Sequence, residues 1–314
     1  MHEHDVCLEL FLGWLADQHG REFSIEGTEE PAPNALAATA TDGSFRLAIE
    51  LCPLLDPVES PVWLAERERL QEEIASDLAG AYALWLPPGA DLPSGQDESL
   101  DFVRLVRETA QELEPGQRNY VPLPVSIYLK KVSEEGGLVS VSGGLNRYWA
   151  RLTEKVKGTY DLDSTRLHRL PEPAEHLDQL YEAIWERAAA IEVGQWVALE
   201  TIDAWTVQRL QGDGGVTIVG RPPEELGDVG LSVRRNFRRL LADAGQRLRG
   251  READIRSLVA IGYYGRMEEE GATTAMRGYD PSLYAGLEFV CLAADGLIKA
   301  LMEARAGSLP WARA

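Results

Sequence analysis

Two strand-like runs, Ala35–Thr39 and Phe45–Leu51, are separated by Thr41-Asp42-Gly43-Ser44. Asp-Gly tolerates positive φ in a tight turn, and flanked by apolar runs it is a strong short-range signal for a β-hairpin. The second run closes on Ile49-Glu50-Leu51-Cys52, so a carboxylate is set into an apolar strand. An isolated hairpin is at best marginally stable in water. The remaining chain must therefore supply both more sheet and a cover.

It has the elements to do so. Val6, Cys7, Leu10, Phe11, Trp14 and Leu15 recur at helical spacing and stop at Gly20. A strand-like piece follows at Glu22–Glu26. Ser60-Pro61 reads as a helix cap and first turn, with Trp63, Leu70, Ile74 and Leu78 as the apolar stripe. The pattern then predicts a strand at Ala81–Leu86 and a helix near Leu100–Leu113. Strands at Pro124–Lys130 and Leu138–Ser142 come next, then a helix over Leu145–Lys157. Pro171-Glu172-Pro173 marks a boundary between residues 1–170 and 171–314, whether as two domains or as halves of one. Beyond it lie a helix (Glu175–Ala190), strands at Gln195–Glu200 and Val216–Val219, and a long helix (Ser232–Leu248). Strands near Ser257–Tyr263 and Leu287–Leu292 and a short piece at Ile298 end the chain. Strands and helices alternate, which predicts an α/β (mixed α+β) fold with a mixed sheet flanked by helices. No Gly-rich strand-to-helix turn or Walker loop is present, so nucleotide-binding sheets of those kinds are not expected.

Charge narrows the partners. With 51 acidic and 31 basic residues the net charge is −20, which repels nucleic acid unless positive charge is locally concentrated. No apolar run approaches the roughly 20 residues needed to span a bilayer, so no membrane partner is expected. The N-terminus shows no basic segment leading into an apolar one, and a cytoplasmic location is the expectation. Cys7, Cys52 and Cys291 are far apart and flanked by apolar residues, which predicts buried thiols rather than disulfides or zinc ligands.

At the first hairpin the residues carry a resemblance. Pro33-Asn34 heads one strand and Glu50-Leu51-Cys52 ends the next, across a tight turn and after a helix. This order resembles the PD-(D/E)XK, or restriction-endonuclease-like, nuclease superfamily over about the first 90 residues. There a Pro-Asp opens one strand and Glu-X-Lys closes the next. The resemblance implies a Mg²⁺ held by the two carboxylates, with the lysine helping to activate water or stabilise the phosphate. On that basis Glu50 and Asn34 are the metal and catalytic candidates. The chain departs from the pattern twice. Asn34 brings no negative charge, and Cys52 can neither carry the positive charge nor bind Mg²⁺ well. Glu22, Glu26 or Glu30 would have to replace the missing charge, with Glu26 as third metal candidate. Lys155 or Lys157 would have to supply the cation, with Lys157 as third catalytic candidate.

A second signal is Arg234-Arg235-Asn236-Phe237-Arg238-Arg239, continued by Arg247, Arg249 and Arg251. On a helix Arg234, Arg235, Arg238 and Arg239 share one face, opposite Phe237, Leu240, Leu241, Ala244 and Leu248. Such a face suits the phosphates of DNA or RNA, or else an acidic protein surface, including a second copy of the chain; the plainer reading is a solvated face in internal ion pairs. Two functions follow. One is a degenerate or inactive Mg²⁺-dependent nuclease-like protein that binds nucleic acid. The other is a non-catalytic protein-binding or scaffold module.

Overall fold

The structure is a computed structural model and describes residues 2–312 apart from 33, 55–59, 88, 144–145, 171–173, 221, 223–228, 263–275 and 277. The Pro171–Pro173 segment thus lies outside the described residues. In chain order the elements are α1 (Glu3–His19), β1 (Ser24–Ala32), β2 (Ala35–Thr41), β3 (Arg46–Pro53), α2 (Pro61–Ala75), β4 (Ala81–Trp85), α3 (Gln96–Gln111), β5 (Arg118–Ser133), β6 (Gly137–Ser142), α4 (Asn146–Trp149), β7 (Gly158–Asp163), α5 (Ala174–Ala190), β8 (Trp196–Arg209), β9 (Gly215–Val219), α6 (Val229–Arg249), β10 (Ile255–Ile261), β11 (Phe289–Ala294) and β12 (Leu297–Glu303).

They form two mixed six-stranded sheets. The first has the order β1-β2-β3-β10-β11-β12 and the second β6-β7-β5-β8-β4-β9. In the first, β1-β2-β3 is an antiparallel meander, β10 runs parallel to β3, and β11 runs parallel to β10. Each sheet takes strands from both sides of residue 171, so the proline-rich segment does not separate one sheet from the other.

The hairpin turn forms as its residues dictate. Asp42 Oδ1 accepts from the amides of Ser44 (2.9 Å) and Phe45 (2.7 Å), and Gly43 takes φ +83°, which disfavours any side chain. Strands β3, β10 and β11 are covered on both faces and are apolar almost throughout. Leu47, Ile49, Leu51, Val259, Phe289 and Cys291 face α1. Ala48, Cys52, Leu258, Ala260, Val290 and Leu292 face Phe237, Leu241, Ala244 and Leu248 of α6.

Helix α1 is shared. Its Val6, Cys7, Phe11 and Leu15 pack in one cluster with strands of the first sheet and with Ala81, Ala83, Trp85 and Val219 of the second. The other face of the second sheet is covered at one end by α2 and α3 and at the other by α5 and the α4 turn. Among the described residues no helix is long and apolar enough to cross a membrane. All three cysteines are buried, and none forms a disulfide.

Candidate functional site

Side chains alternate along β3, and Glu50 falls on the α6 face between Ala48 and Cys52. It is fully buried, with 0% of its surface exposed. Arg247, in the last turn of α6, reaches down to it. Its Nε donates to Glu50 Oε1 at 2.9 Å, and a second guanidinium nitrogen donates to the same oxygen. The Cys52 thiol donates to Oε1 at 3.4 Å. Glu50 Oε2 has no hydrogen-bond partner. Burial, and after it the neighbouring Glu50 charge, pushes the Cys52 thiol far above its usual range, so no reactive thiolate forms. The hydrogen bond to Glu50 raises Arg247 above its ordinary value. A cation in the last helical turn also suits the helix dipole.

A second carboxylate–arginine pair lies two strands further out, at the sheet edge. Glu29 of β1, Ala37 of β2 and Glu50 of β3 stand in one cross-strand row. Glu29 pairs with Arg251, four residues beyond Arg247. One buried and one exposed carboxylate of the sheet are thus each paired with an arginine, Arg247 in the last turn of α6 and Arg251 just beyond its end.

The other expected site residues stand elsewhere. Asn34 is exposed in the β1–β2 turn at φ +60°, and its carbonyl oxygen lies 3.1 Å from His4 Nε2 of α1. Glu26 is exposed and pairs with Arg46 at 3.2 Å. Lys155 pairs with Glu182 and lies over the Trp185 ring, beside the second sheet. Lys157 is exposed just before β7. No hydrogen bond or ion pair joins Asn34, Glu26 or Lys157 to Glu50, so the structure does not bring these four together. Mg²⁺ needs several oxygens in near-octahedral array. Here the one buried carboxylate is engaged by a guanidinium, and no group of three or more His, Cys, Asp or Glu is placed to hold a metal among the described residues. The residues present do not fit the ion.

The basic face is narrower than the sequence suggests. Arg247 and Arg251 are taken up internally, and Arg249 donates to the Ala285 carbonyl. Arg235, Arg238 and Arg239 remain exposed on α6, while the side chain of Arg234 lies outside the described set.

One cluster was not visible in the sequence. Asp203 of β8 is buried, and its carboxylate accepts from the amides of His168 (3.0 Å) and Arg169 (2.7 Å) and from Trp205 Nε1 (2.9 Å). His168 Nδ1 lies 2.8 Å from it. A histidine held by a buried carboxylate is the arrangement of an oriented base. Among the described residues no hydroxyl or thiol hydrogen-bonds to this ring, so the observed role is to clamp the segment after β7 across β8. Arg169 extends the clamp to Asp295, in the β11–β12 turn of the first sheet, at 2.7 Å.

Comparison with known proteins finds no family model, no curated protein and no solved structure that matches this chain.

Proposed function

We propose that the chain is a non-catalytic binding protein with a nuclease-like first sheet, and that the exposed arginines of α6 meet the phosphodiester backbone of DNA or RNA. The observation that carries the absence of catalysis is the Glu50–Arg247 pair. A metal at Glu50 would have to displace a guanidinium held by two hydrogen bonds, and among the described residues no group of three or more His, Cys, Asp or Glu is placed to hold one. The resemblance at the hairpin is supported by a meander β1-β2-β3 with β10 parallel to β3 and a helix on each face. The binding half rests on Arg235, Arg238 and Arg239, whose planar, permanently charged groups match phosphate oxygens.

The test is incubation of the purified protein with single- and double-stranded DNA and RNA in Mg²⁺ or Mn²⁺. No cleavage is expected. Binding is expected to weaken with salt, with a log–log slope of roughly −2 to −3 if each of these arginines meets one phosphate. Replacing all three by alanine should flatten that slope. Cleavage that vanishes in Glu50→Ala overturns the non-catalytic reading. Absence of any salt-sensitive binding overturns the nucleic-acid partner and leaves an acidic protein surface in its place.

A further inference from the structure

Four strand edges are open to inspection in the two sheets, and three are guarded. Edge strand β1 carries Glu26, Glu29, Glu30 and Pro31, and its register is broken twice. Edge strand β12 carries Lys299 and Glu303 and pairs with β11 across an irregularity. At β9 the Gln71 side chain of α2 accepts the outward amide of Ile218 at 2.8 Å. Even the first half of β5, which pairs with β8 on one side only, holds Pro122 and Pro124, which have no amide to offer a new strand. Charges, prolines, bulges and covers are the usual ways of keeping sheet edges from pairing.

Among the described residues, edge strand β6 has none of these. Its sequence is Gly-Leu-Val-Ser-Val-Ser, without charge or proline, and it pairs with β7 in unbroken parallel register. The carbonyl of Gly136 accepts from Gly158 and that of Ser142 from Ser164, so the even-numbered residues bond inward to β7. In a parallel ladder the odd-numbered residues then direct both backbone groups outward. Gly137, Val139 and Val141 therefore present a bare row of donors and acceptors. Among the described residues nothing bonds to that row.

We infer that this edge pairs with β6 of a second copy of the chain, antiparallel about a two-fold axis at Ser140. The strand is self-complementary about that residue. Val139 falls opposite Val141 of the other copy and Val141 opposite its Val139, so each pair matches outward backbone groups with outward backbone groups. Both valines are half-buried and already pack against the cluster under α5, which the second copy's valines extend. On the other face Ser140 meets its own symmetry mate at the short spacing of a non-hydrogen-bonded pair, where hydroxyls can bond. Leu138, 63% exposed, meets Ser142. Two chains of net charge −20 repel, and a charge-free edge is where their close approach costs least. A symmetric dimer also requires that one patch serve both sides, which this strand's pattern provides.

The experiment is sedimentation equilibrium on the full chain, expected to give twice the 34.7 kDa chain mass. Ser140→Lys places two like charges across the axis, and Val139→Pro removes an outward amide that β7 does not use. Each should shift the protein to monomer, weakening association at least tenfold, with the circular dichroism and unfolding midpoint of the parent. Ser140→Cys should cross-link two copies through residue 140 under mild oxidant, while Leu138→Cys should not, and the three native cysteines are buried. A monomeric parent, or a dimer that Ser140→Lys leaves intact and Ser140→Cys fails to cross-link, overturns the proposal. A monomer whose β6 captures extended peptides overturns it equally.

Discussion

Glu50 shows how far one residue can be read from sequence. An acid inside an apolar strand had to be solvated, ligated or paired, and its partner lies 197 residues away on a helix with many arginines. Only the packing of α6 on the sheet selects Arg247 from among them. The pair is asymmetric, because Glu50 is fully buried and Arg247 is about one-third exposed (33%). Removing the arginine strands a buried carboxylate, whereas removing the carboxylate leaves a guanidinium that can turn to water. Arg247→Met is therefore expected to lower unfolding free energy by about 3–5 kcal/mol, and Glu50→Gln by less. Urea denaturation of the two variants distinguishes this order from its reverse. Asn34 misled for a related reason. The family pattern treats it as a strand residue, but it stands at φ +60° in the turn of a hairpin in which Ala32 pairs with Ala35.

At the level of elements, hairpins and amphipathic helices were the most legible parts. The Asp42-Gly43 turn joins β2 and β3 as expected, because its signals are local. Burial pushes the Asp42 carboxyl up, but the Phe45 and Ser44 amides and the Arg21 guanidinium outweigh it and hold it below its ordinary value. A depressed carboxylate adds stability above its unfolded value, near 3.9, and loses it as pH falls through the folded one. The parent should thus be more stable than Asp42→Asn by about 1 kcal/mol at neutral pH, with the gap closing as pH falls below the unfolded carboxylate's value. Thermal melts across that range check it. Strands β5 and β8 were harder. Pro122 and Pro124 hid the first half of β5, although they sit where its outer edge has no neighbour. The second half of β8 is buried on both faces and lacks the alternation that marks a half-exposed strand. The helix expected over Leu145–Lys157 is a single turn followed by a 3₁₀ segment.

For the whole molecule, the alternation of strand and helix patterns predicted the mixed α/β class but not the way the strands are shared. A linear boundary near Pro171 cannot describe two sheets that each close with strands from the far half of the chain. The α1 cluster and the Arg169–Asp295 pair tie the sheets together, and both partners of that pair are largely buried. The protein is therefore expected to unfold in one transition, with tryptophan fluorescence and far-ultraviolet circular dichroism coincident. Asp295→Ala should lower the common midpoint without splitting it. Separate transitions would show that the two sheets are independent. The insertion of the second sheet between β3 and β10 also has a consequence in time. As the chain leaves the ribosome, β3 appears about 200 residues before β10, the strand that pairs with it in parallel. At roughly 5–20 residues per second that is a wait of about 10–40 s. Throughout it an apolar strand holding a buried-type acid has neither its parallel neighbour nor its arginine, so nascent chains of this protein should lean on holding chaperones until α6 and β10 emerge.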